Sequence, residues 1–143
     1  MIEPWIGTEF KKTGLLLLDE SVYSREEGGV VVHRGEKHAI NLVQDCISSP
    51  ETFRGFIATL SRGICGVKHP PEDRLREAWD RVAFTNYVAT SVGIGARTRP
   101  SEVQWATARR EFRGMLESIR PCRIIVLGRE MWSRMPDTRC PIV

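Results

Sequence analysis

The chain is 143 residues long, enough for one domain with a core of its own and no disulfide or metal staples. Apolar residues make up 41% and charged residues 27%, ordinary proportions for a soluble globular protein. A net charge of +3 suits a polyanionic partner without requiring one. No apolar run approaches membrane-spanning length, and Met1-Ile2-Glu3-Pro4-Trp5 lacks the basic segment and apolar core of a signal peptide. A cytoplasmic protein with no membrane partner is expected. Cys46, Cys65, Cys122 and Cys140 are widely spaced and form no Cys-x-x-Cys pair. Reduced thiols, mostly buried, are therefore expected, with no metal and no cofactor. Arginines crowd the stretch from Arg97 to Arg139; on charge alone a solvated helix face accounts for them.

In chain order, Trp5, Ile6 and Phe10 form a lead-in able to pack beneath a first strand. Leu15-Leu16-Leu17-Leu18 follows a turn at Lys11 to Gly14 and is too short for an independent helix. Such a run predicts a strand buried on both faces, in the middle of a parallel sheet. An open α/β sheet places its ligand at the carboxyl ends of the strands. Here those positions are Asp19, Glu20, Ser21 and Tyr23, with Ser24 to Gly29 predicted as a polar loop. Val30–Val32 reads as a short edge strand. Ile40, Val43 and Ile47 predict a helix over 36–47. Ser49-Pro50 then predicts a new helix, with Ser49 as N-cap and Glu51–Arg62 helical. Phe53, Phe56, Ile57, Leu60 and Ile64 would be its buried stripe, with Gly63 or Gly66 at its end.

Further on, Glu72–Arg81 predicts a short helix burying Leu75, Ala78 and Trp79. Val82–Val88, β-branched and aromatic, predicts a second strand, followed by a loop over 91–100. Ser101 and Gln104 have capping-box spacing ahead of a helix over 102–119. Its apolar face is Trp105, Ala108, Phe112, Met115, Leu116 and Ile119. Arg123–Leu127 is the third strand, and a short helix carries Met131 and Trp132. Cys140-Pro141-Ile142-Val143 reads as the opening of a further strand that the chain does not finish. Helices alternating with apolar strands argue for one α/β domain spanning 1–143, a three-layer α/β/α with a short parallel sheet.

Three blocks resemble the uracil-DNA glycosylase superfamily, and within it a bacterial branch whose first motif is Gly-Glu-Ser-His-Tyr. They are the leucine strand with Asp19-Glu20-Ser21-Val22-Tyr23; Val82 to Val88, similar to a strand ending Thr-Asn-x-Val; and a third, longer one. That block runs from Arg97-x-Arg99-Pro100-Ser101-Glu102 through the long helix and Ile119-Arg120-Pro121 to Ile124-Ile125-Val126-Leu127-Gly128-Arg129. The resemblance implies a four-stranded parallel sheet, its fourth strand truncated here, with a site at the strand ends. It also implies DNA, or a pyrimidine base, as the partner. The chain departs from the pattern at Asp19, where the branch has glycine, and at Val22, where it has histidine. The second motif, His-Pro-Ser or similar, is missing, and Ala108 replaces the cysteine of the iron–sulfur branch.

Base excision needs a carboxylate at the sugar carbon, to place water or stabilise an oxocarbenium-like state, and a donor for the departing base. By the resemblance Glu20 is the catalytic candidate, with Asp19 beside it as the other. Neighbours on a strand face opposite sides, so no working dyad is expected. Glu20 reads equally well as a loop carboxylate. Asn86 matches the base-reading asparagine and offers donor and acceptor together; it also reads as a strand-end residue bonded to its own backbone. Tyr23 could stack on a base or belong to the core, with Ser21 beside it. Arg97 and Arg99 could hold phosphates or be solvated. His33 and His38 read as surface residues. Three functions remain open: an active glycosylase, a nucleic-acid or nucleotide binder of the same fold, and a protein-interaction domain with a decayed pocket.

Overall fold

The computed structural model describes residues 3–52, 55–95 and 98–138. The leucine run is the hub of the sheet. It opens β2 (Leu15–Glu27), which pairs in parallel with β4 (Val82–Ile94) on one side and β5 (Arg123–Val126) on the other. Leu15 lies opposite both Val82 and Arg123, and Leu18 opposite both Thr85 and Val126. Two antiparallel strands make the sheet mixed rather than purely parallel. β1 (Trp5–Ile6) runs along the outer edge of β4. β3 (Val30–Val32) folds back on the far end of β2.

Alternation of the leucines decides the layering. Leu17 packs with Val43, Ile47, Ile57, Leu75 and Trp79. These come from α2 (His38–Ser48), α3 (Gly55–Cys65) and α4 (Glu72–Asp80). Leu16 and Leu18 pack with Phe10, Trp105, Phe112, Ile124 and Met131. The helices on that face are α1 (Phe10–Thr13), α5 (Glu102–Ile119) and α6 (Arg129–Arg134). All three leucines are 0–1% exposed. Two apolar layers close on one strand, and the domain is α/β with helices on both sides of an open sheet.

Local chemistry fixes the ends of these elements. Gly14 caps α1 at φ 59°, its N–H donating to the Phe10 carbonyl at 2.8 Å. Its own carbonyl accepts from Cys122 and Arg123, which ties the starts of β2 and β5 together. A Cβ on Gly14 would lie 2.6 Å from the Cys122 Sγ. The α5 capping box forms with both arms, Ser101 Oγ accepting from the Gln104 N–H and Gln104 Oε1 from the Ser101 N–H. Such a cap contributes about 1 kcal/mol.

Three expectations are corrected. β2 does not stop at Leu18: it runs through the expected site and the expected polar loop to Glu27, and β4 likewise runs on to Ile94. Gly28 and Gly29, at φ 59° and 81°, make the two-residue turn that returns the chain as β3, so this stretch is a hairpin arm. Ser49 does not open a helix either. Its N–H closes α2 on the Asp45 carbonyl, its own carbonyl accepts from Thr52, and Glu51 and Thr52 lie in a turn; α3 is described over Gly55–Cys65. The buried stripe shifts to Ile57, Ala58 and Ser61, leaving Phe56 exposed. Finally, only Cys46 of the described cysteines is buried, Cys65 being half-buried and Cys122 exposed. Phe53, Cys140 and the expected strand opening at 140–143 lie outside the described residues.

Candidate functional site at the step in the sheet

β5 ends at Val126 while β2 and β4 continue, so the sheet narrows at one level. The Leu127 N–H still donates to the Leu18 carbonyl at 2.9 Å, and the next residues of β2 are Asp19 and Glu20. Strand alternation sends these two carboxylates to opposite faces.

Asp19 follows Leu17 onto the α2–α4 face. It is the in-register partner of Asn86, whose Nδ2 donates to Asp19 Oδ2 at 3.1 Å. Burial pushes the Asp19 carboxyl up to about 6; the Glu20 backbone N–H and the Asn86 amide pull the other way, and the Glu20 charge adds to the rise. Asn86 is 2% exposed and its Oδ1 is buried without a hydrogen-bond partner. An acceptor left so costs about 1–3 kcal/mol. An orphaned polar atom of this kind, beside a carboxyl displaced from its ordinary range, marks a functional candidate on physical grounds.

Glu20 follows Leu18 onto the α5–α6 face. Its Oε2 accepts from Arg99 Nη2 at 2.8 Å. Burial raises its pKa and outweighs the lowering by Arg99. Arg99 also donates through Nε to Glu130 at 3.1 Å, and its hydrogen bond holds Glu130 below the usual carboxylate range. Glu130 pairs with Arg134, which pairs with Glu102 at 2.8 Å and lies over the Trp105 ring at 5.1 Å from its centroid. The loop before α5 is thus fastened to Glu20 and α6 by charge. A Cβ on Gly128 would lie 3.6 Å from Glu20 Oε2, so that glycine borders the carboxylate.

Beyond Ser21 the pairing slips. Ser21 faces Val88, but Val22 faces Ser91 and Ser24 faces Ile94. Extra residues on β4 bulge the ladder, a device that re-aims side chains, and Val22 joins the same apolar cluster as Leu17. Ser21 is half-buried. Tyr23 is 40% exposed rather than part of the core. Ser24, 1% exposed, bonds both His33 Nδ1 at 2.8 Å and Ser91 Oγ at 2.6 Å. His33 therefore has a partner, and His38, expected at the surface, is half-buried, its pKa lowered by burial. A two-glycine turn at 28–29 sets Ser24 opposite His33 by simple counting; that signal was in the sequence.

The structure therefore assembles two pairs, Asp19 with Asn86 and Glu20 with Arg99, on opposite faces at the step. Arg97 lies outside the described residues. Nothing in the sequence signalled Glu130, Arg134 and Glu102, which meet Arg99 only through tertiary packing. A cavity of about 630 Å³ lies elsewhere, between α3, α4 and β5, lined by apolar side chains including Leu17, Leu60, Ile64, Ile125 and Leu127. None of the candidate residues lines it. Among the described residues no group of three or more His, Cys, Asp or Glu side chains is placed to hold a metal ion, and no helix is long and apolar enough to cross a membrane. No family model matches the chain, and no curated protein is significantly similar to it.

Proposed function

We propose that this is a uracil-DNA glycosylase-like protein that recognises a pyrimidine base, flipped from single-stranded or distorted DNA or free, at the step where β5 ends. The observation that carries the reading is the orphaned Asn86 Oδ1 beside Asp19 at the carboxyl side of the central strands. A buried carboxamide with a spare acceptor suits the edge of a heterocycle that offers an N–H. Tyr23 is the exposed ring available for stacking, and Asp19 is the carboxylate on the Asn86 face; Glu20 and Arg99, on the opposite face, are paired with each other. Asn86 is closed to solvent, so a base reaches it only as neighbouring side chains give way.

Hydrolysis of the N-glycosidic bond is expected to be weak. Within residues 1–143 nothing matches the second-motif group that would stabilise the departing base, and a protein of these residues alone would forgo a contribution on the order of a hundred- to a thousand-fold in rate. A second reading, nucleic-acid binding without excision, is favoured by the ion pair that already occupies Glu20. The test is cleavage of uracil-containing single-stranded DNA by the protein and by Asn86→Ala, with binding measured at two salt concentrations. Slow cleavage lost in Asn86→Ala is the expected result. Salt-dependent binding without cleavage selects the second reading, and absence of both removes the proposal.

A further inference from the structure

An ionised carboxylate only accepts hydrogen bonds. Beside Asp19, an Asn86 carboxamide with its oxygen turned inward would set two acceptors against each other. The observed arrangement avoids this: Nδ2 donates to Asp19 Oδ2 at 3.1 Å, and Oδ1 is the buried atom left without a partner. The two residues are Cα partners on paired parallel strands, so neither backbone is free to turn the amide away. A protonated Asp19 lifts this constraint. Its O–H is a donor while its other oxygen still accepts, so either amide order is allowed, and Oδ1 turned to the O–H leaves Nδ2 as the spare group.

We propose that Asp19 is a positioning residue that sets the donor–acceptor order of the Asn86 carboxamide, so that its ionisation decides which heterocycle edge the site accepts. The ligand half of this inference rests on the pyrimidine reading above; the amide-order half does not. With Asp19 ionised, the spare group is an acceptor, matched to an imide N–H such as that of uracil. With Asp19 protonated, the reversed order is open as well and offers a spare donor, matched to a ring-nitrogen acceptor such as that of cytosine. Burial has moved the Asp19 carboxyl to about 6, which places this change near neutral pH. Glu20, next along β2, is the charge acting on Asp19; it is held on the other face by Arg99. From β4 the neighbour is the neutral Asn86, and the α2–α4 layer on that face presents an apolar cluster.

The experiment has two arms on the full chain. In the first, the Asn86 side-chain amide and the Asp19 carboxyl carbon are followed by NMR from pH 8 to pH 5, in the protein and in Asp19→Asn and Asp19→Ala. Amide signals that move with the Asp19 midpoint, near pH 6, and stay flat in both variants are expected. Amide signals that stay flat while Asp19 titrates overturn the inference. In the second arm, binding of an oligonucleotide with one uracil is compared with the same oligonucleotide carrying cytosine. A preference for uracil of about tenfold, the worth of one charge-independent hydrogen bond, is expected at pH 7.5 and should narrow at pH 5.5. An equal preference at both pH values overturns the ligand half alone. No binding of either oligonucleotide overturns the pyrimidine reading, while the spectra still decide the amide order.

Discussion

The two carboxylates at the step are adjacent in sequence and live in opposite worlds. Asp19 is held by the neutral Asn86 amide and the Glu20 backbone N–H beside an apolar layer, and burial dominates its ionisation. Glu20 sits in a chain of five charged groups that reaches Arg99, Glu130, Arg134 and Glu102. In the first pair a low local dielectric makes each hydrogen bond consequential and any unpaired group costly. In the second, solvent and salt screen the outer links through Arg99, Glu130 and Glu102, while Glu20 itself is largely buried. One peptide unit of strand is enough to separate a site that stores electrostatic strain from a latch that can exchange partners.

The largest expected effect breaks the buried pair. A carboxyl whose folded pKa is raised above its unfolded value favours folding fully below the unfolded pKa. That contribution is lost as pH rises through the folded pKa. For Asp19, raised from 3.8 to about 6, stability should fall between about pH 4 and pH 7. The full difference amounts to about 3 kcal/mol. Asp19→Asn removes the titration while keeping the shape. Its denaturant midpoint should exceed that of the parent at pH 7 and converge with it near pH 4. A constant gap across that range contradicts the burial assigned to Asp19.

A smaller effect comes from the partner. Asn86→Ala removes the amide that donates to Asp19 and should cost about 1–2 kcal/mol at pH 7.5. The cost should shrink at pH 5, where a protonated Asp19 needs the donor less. Chemical denaturation at the two pH values checks this, and a larger cost at the lower pH would reverse the assignment.

How far these pairs were legible in the sequence follows from what each depends on. The leucine run, the alternation that splits Asp19 from Glu20, the α4 and α5 helices and the three central strands are local patterns. All begin where periodicity and caps put them, though β2 and β4 run on past their expected ends. The hairpin arm was misread because Ser24 to Gly29 is polar. A solvent-facing antiparallel arm needs no apolar run, and the two glycines were the better guide. The Ser49-Pro50 start failed because Ser49 was already spent in closing α2. The Asp19–Asn86 contact needed the register of β2 against β4, which no single segment encodes. The family-level reading came from motif resemblance and stays a proposal about Asn86, Asp19 and Tyr23.

The smallest effect belongs to the exposed latch. Arg99→Ala should change stability by less than about 1 kcal/mol, as surface ion pairs usually do, and the difference should fade in high salt. It should nonetheless loosen the loop before α5, read as faster amide exchange around residues 98–101. Unchanged exchange there would mean that the capping box alone holds the loop.

The central claim is that Asn86 reads a pyrimidine, and the most direct measurement is the affinity of the protein for an oligonucleotide with one uracil against the same oligonucleotide with an abasic site. Tighter binding of the uracil-containing strand is expected, with the difference abolished in Asn86→Ala at unchanged affinity for the abasic strand. Equal affinity of the parent protein for both strands would contradict it.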